Sequence, residues 1–118
     1  MAAIRKNSEI PEQNFDHCHD GAGVLFCQSI LDGLGCREFA FMHSDRIEAG
    51  VSIGEHRHAA NEEIYYLISG KGVLTYDGKE YDMAPGDVSV CMPGHSHAFL
   101  ATEDSRLIVV GGTGHKEG

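Results

Sequence analysis

Three histidines and a carboxylate carry the chemistry legible in this chain. His56 and His58 are two residues apart in the stretch Gly50–Gly70, GVSIGEHRHAANEEIYYLISG. Side chains of a strand alternate between its two faces, so the HxH spacing aims both imidazoles at one side of a sheet. Glu63 follows five residues after His58 and directly precedes an apolar run, with Glu62 as its competitor. A further histidine comes from Pro93-Gly94-His95-Ser96-His97, where His95 and His97 compete. Imidazoles and a carboxylate converging on one point suit a first-row divalent metal.

The elements that must position these groups are short strands. Fifteen glycines in 118 residues imply many tight turns, which fits an all-β chain better than a helical one. Ile64–Ile68 is apolar or aromatic throughout and β-branched or aromatic at all positions but Leu67, as in a strand covered on both faces. Val73–Tyr76, Asp77-Gly78 and Lys79–Met83 read as a hairpin on a two-residue type I′ turn. Val24–Leu31, Glu38–His43, Val88–Met92, His97–Ala101 and Arg106–Val110 are the other strand candidates, and no amphipathic helix of ten residues stands out. Together they describe a sandwich or barrel. Residues 1–14 read as an arm with room for one edge strand, 15–110 as the barrel, and 111–118 as a frayed glycine-rich tail.

Composition removes several function classes. Hydrophobic residues make up 42% of the chain, which argues against disorder. A formal net charge of -9 argues against a nucleic-acid binder and a polybasic membrane anchor. No apolar stretch is long enough to span a bilayer, and the N-terminus has no apolar signal core, so a cytoplasmic location is expected. The four cysteines, Cys18, Cys27, Cys36 and Cys91, make no CxxC pair and are expected to be reduced thiols. Asp16-His17-Cys18-His19-Asp20 carries five metal-capable side chains in a row. Consecutive strand residues cannot all face one point, so a polar loop is the plainer reading and a second metal site the sharper one.

Gly50-x5-His56-x-His58-x4-Glu63-x6-Gly70 resembles the first motif of the cupin superfamily, and Gly86-x7-Gly94-x2-His97 resembles the second. The resemblance implies a single small antiparallel β-barrel, the double-stranded jelly roll of RmlC-like cupins. It implies His56, His58, Glu63 and His97 as ligands of one divalent transition metal per chain (Fe, Mn, Ni, Co, Cu or Zn). Two positions depart from the second motif: Met92 replaces the usual proline, and Ala101 the usual closing asparagine. The expected function is a small metal-dependent enzyme acting on a compact oxygenated molecule, with dioxygenase-type oxidoreductase chemistry ahead. The alternatives are a non-catalytic small-molecule- or metal-binding module, and an isomerase or decarboxylase acting on a sugar or carboxylic acid. Tyr65, Tyr76, Arg46, Cys91 and His95 are candidates to line the site, and a homodimer is expected.

Overall fold

The computed structural model describes residues 4–114. Ten strands form two antiparallel sheets. β1 (Glu12–Asp16), β2 (Val24–Ser29), β3 (Phe39–Ile47), β5 (Glu63–Ser69), β8 (Val88–Cys91) and β10 (Ser105–Gly112) build the larger one, in the order β1-β2-β3-β10-β5-β8. β4 (Ser52–Arg57), β6 (Gly72–Tyr76), β7 (Lys79–Met83) and β9 (Ser96–Ala101) build the smaller, in the order β4-β9-β6-β7. The expected all-β jelly-roll barrel is therefore what the chain forms. Among the described residues no helix is long and apolar enough to cross a membrane.

The core lies between the sheets. Leu25, Ile47, Leu67, Leu107 and Val109 from the larger sheet meet Ile53, Leu74 and Phe99 from the smaller, all buried. The alternation that places them is plainest in β5, where Glu63, Tyr65 and Leu67 are buried while Ile64, Tyr66 and Ile68 are exposed. A strand covered on both faces was expected here. Within one chain no described element packs on the outer face of β5, so one face stays open.

Turn chemistry sets the β6–β7 register. Asp77 and Gly78 both have positive φ (49° and 81°), the requirement of a type I′ turn, and Tyr76 pairs with Lys79 across it. The N-terminal segment supplies β1, which pairs with β2 at the sheet edge. β10 continues to Gly112, two residues beyond the expected barrel boundary, because Gly111 and Gly112 still pair with β3. Residues 115–118 of the expected tail lie outside the described residues.

The stretch Asp16–Asp20 forms a tight turn closed over β4. His17, His19 and Asp20 all hold positive φ, an arrangement that non-glycine residues keep only under external support. The support is backbone packing: a Cβ on Gly54 would stand 1.9 Å from the His19 carbonyl oxygen.

Candidate metal centre

Both sheets contribute to one cluster. His56 lies on β4 directly opposite His97 on β9, and Glu63 opens β5 in the facing sheet. His58 follows the end of β4, held where its N–H donates to the His95 carbonyl (3.1 Å). Glu63 Oε1 is 2.8 Å from His97 Nε2, 3.2 Å from His58 Nε2 and 3.5 Å from His56 Nε2. His97 Nε2 is also 3.1 Å from His56 Nε2 and 3.0 Å from His58 Nε2. His97 is 1% exposed and Glu63 5%.

The tautomers decide what this arrangement needs. His56 Nδ1 lies 2.8 Å from the Gly54 carbonyl, which can only accept, so Nδ1 carries the proton. His58 Nδ1 is likewise 3.1 Å from Asn61 Oδ1. In their neutral forms both rings therefore turn bare Nε2 lone pairs inward. One proton on His97 Nε2 cannot serve two imidazole lone pairs and a carboxylate at once. A cation at the centre satisfies all four donors, and the Nδ1 contacts are the orienting bonds typical of ligating histidines. Donors about 2.1 Å from a metal stand about 3.0 Å apart at right angles and about 3.4 Å apart in a tetrahedron. Four of the five separations given above fall below the tetrahedral value, so the set fits part of an octahedron with positions left over.

Burial opposes charge on Glu63, but its hydrogen bonds with His56 and His97, and the nearby His58, outweigh it and hold the carboxyl well below the usual range. Burial keeps His97 below the ordinary histidine value. Both effects favour the ligating forms, carboxylate and neutral imidazole.

The cluster borders a cavity of about 260 Å3. Of the five residues expected to line it, only Tyr65 does, stacked on His97 with ring centroids 4.2 Å apart. Burial pushes the Tyr65 hydroxyl well above its ordinary value, so it stays protonated. Arg46 points out of the barrel: it lies over the Phe26 ring and pairs with Glu12 at 2.8 Å. Strand parity explains the miss, since Arg46 is in β3 with Asp45 rather than in a turn, and Asp45 takes the inward place. Tyr76 accepts a bond from the Met92 N–H at 3.2 Å, away from the cavity. Cys91 is buried with its thiol toward the His95 carbonyl. His95 is exposed and pairs with Asp77. Glu62 is exposed, leaving Glu63 as the buried carboxylate.

The Asp16–Asp20 side chains diverge. Cys18 enters the core, His17 pairs with Asp16 at 2.7 Å on the surface, and His19 stacks on His56 at 3.7 Å between ring centroids. His19, Cys27, His43 and Asp45 line the cavity and were not singled out individually from sequence. The signal for the last two was an HxD spacing, His43-Ser44-Asp45, equivalent in parity to the HxH pair.

The fold and cluster are those of a cupin, and the comparisons with known proteins agree. The cupin domain model matches residues 44–111, more than half of the chain, so the chain belongs to the cupin family. It is 30% identical over 108 residues to the oxalate-binding protein of Thermotoga maritima, covering 88% of this chain and 87% of that one. A crystal structure of a predicted oxalate decarboxylase from Thermotoga maritima superposes with a TM-score of 0.83 at 25% identity, covering 92% of this chain and 96% of the other. Similarity to the 5-nitrosalicylic acid 1,2-dioxygenase of a Bradyrhizobium species is 31% over 77 residues, 65% of this chain and 37% of that enzyme.

Proposed function

We propose that the chain holds one divalent transition metal on His56, His58, Glu63 and His97 and binds a compact carboxylate at the remaining coordination positions. The observation that carries this reading is the convergence of three imidazole nitrogens and one carboxylate oxygen with two of the Nδ1 protons already engaged. The metal supplies Lewis acidity and, where it is redox-active, the capacity for dioxygen chemistry. A cavity of about 260 Å3 suits a small ligand. Among the described residues that line it there is no Lys or Arg, so an anion there depends on the metal for its counter-charge. The similarity to an oxalate-binding protein supports oxalate as the first ligand to try. In titration calorimetry, oxalate is expected to bind Mn(II)-loaded protein and to give no heat of binding with chelator-treated protein. Equal binding to both would overturn the reading.

Metal affinity should fall as pH drops below about 6, because protons then compete for the imidazole lone pairs. Mn(II) titrations across pH test this. A constant affinity from pH 5 to pH 8 contradicts a three-histidine site.

A dioxygenase acting on a phenolic acid is the second reading. It is favoured by the apolar wall that Phe15, Leu25, Phe41, Ile53 and Val109 add to the cavity, which suits a ring. Oxygen uptake with Fe(II)-loaded protein and salicylate supports it, and no uptake excludes that substrate. A cytoplasmic setting fits either reading, since Cys18, Cys27, Cys36 and Cys91 are free thiols.

The homodimer belongs to the same proposal. Ile64, Tyr66 and Ile68 of β5 and Val88 and Val90 of edge strand β8 expose 37–60% of their surface. Ile64 pairs with Val90 and Tyr66 with Val88, so these side chains form one continuous patch. A two-fold axis brings such a patch against itself. Light scattering is expected to give twice the chain mass, and the Tyr66→Glu, Val90→Glu variant a single chain mass. A wild-type monomer across a wide concentration range refutes the dimer.

A further inference from the structure

A second group of ligating side chains lines the same cavity, away from the four described above. Cys27 on β2 lies directly opposite Asp45 on β3 in the ladder, and His43 precedes Asp45 by two residues on the same face. Their donor atoms, one sulfur, one nitrogen and one oxygen, all lie within 4.8 Å of one another. Asp45 is 4% exposed and Cys27 6%, and both border the cavity with His43.

Asp45 is the side chain that needs explaining. Its Oδ1 is buried with no hydrogen-bond partner. The Cys27 thiol, followed by His43 and Arg106, favours the carboxylate, but burial outweighs all three and Oδ1 is left without a partner. Arg106, the one arginine of β10, donates to Ser44 Oγ at 2.7 Å. The cavity wall around Asp45 includes Leu25, Phe41 and Val109 and no Lys or Arg among the described residues. A carboxylate in such surroundings is costly unless a cation is supplied from outside the chain.

We propose that Cys27, His43 and Asp45 form a second cation site, for a borderline-soft divalent metal such as Zn(II) or Co(II). A thiolate and a carboxylate balance the two charges of the ion, and the neutral imidazole completes a donor set that Zn(II) and Co(II) favour. Binding displaces the Cys27 thiol proton to the buffer. Three protein ligands leave a fourth tetrahedral position for water or a ligand in the cavity. The site stands independently of the four-ligand centre, which contains no sulfur.

That difference supplies the test. Reduced, full-length protein is titrated anaerobically with Co(II), and bound cobalt is counted while thiolate-to-cobalt charge-transfer absorption is recorded. Two cobalt ions per chain and the sulfur band are expected. Cys27→Ser should drop to one cobalt without the band. The His56→Ala, His58→Ala double variant should also drop to one cobalt but keep the band. Asp45→Asn should keep the first ion and bind the second at least tenfold more weakly. If Cys27→Ser does not fold, the Asp45→Asn variant decides by the same readings, an unchanged second affinity counting against the site. Saturation without the band overturns the proposal. So does a band that survives Cys27→Ser, since the sulfur would then be Cys18, Cys36 or Cys91.

Discussion

The melting temperature is expected to rise by about 10 °C when Mn(II) is present at a hundredfold excess over its dissociation constant. A ligand held only by the folded state adds about 2.7 kcal/mol at that excess, and each kcal/mol moves the midpoint of a domain of this size by roughly 4 °C. The source of the effect is local. Without a cation, three inward imidazoles and the Glu63 carboxylate share too few protons at separations of 2.8–3.5 Å. The His56→Ala, His58→Ala variant should show no rise, because two of four donors are gone. Differential scanning fluorimetry with and without Mn(II) reads both arms. An equal rise in the variant would place the metal elsewhere.

Asp45→Asn should stabilise metal-free protein by up to roughly 3 kcal/mol at pH 7. Burial pushes the Asp45 carboxyl from its ordinary 3.8 up to about 6, with the Cys27 hydrogen bond only partly opposing it. The folded state thus holds this proton more tightly than the unfolded one. Folding takes up a proton between these two values, so the penalty is full above pH 6 and fades as the pH falls toward 4. Denaturant unfolding of chelator-treated protein at pH 7 and pH 4.5 measures it: the advantage of Asn is large at the first pH and small at the second. A destabilised variant at pH 7 would mean that the carboxylate is well solvated or paired. A group that weakens the fold while facing a cavity is commonly kept for binding rather than for stability.

His56 and His58 were legible because strand periodicity is a local property, whereas Glu63 and His97 were separated from Glu62 and His95 by the glycine spacing of the cupin motifs. His56 and His58 share a face by parity alone, and Glu63 brings Tyr65 and Leu67 inward with it. The Asp-Gly hairpin was legible for the same reason, since two positive-φ residues fix the turn. What stayed hidden depends on partners distant in sequence. Arg46 looked like a cavity residue until β3 extended through it and turned its side chain toward Glu12. His19 reaches His56 because Gly54 admits the His19 carbonyl against β4, a contact that no spacing rule encodes. Cys27 meets Asp45 through the β2–β3 register, which a long and irregular connection leaves open. The apolar run Ile64–Ile68 marked a strand correctly, but whether its outer face is covered is a question about a second chain.

Counting bound Mn(II) by equilibrium dialysis tests the central claim most directly. Mn(II) favours nitrogen and oxygen donors over thiolates, so it reports the four-ligand centre rather than Cys27. The chain is expected to hold one Mn(II), and the His56→Ala, His58→Ala variant none. No uptake by the natural chain, or equal uptake by the variant, would contradict a metal centre at His56, His58, Glu63 and His97.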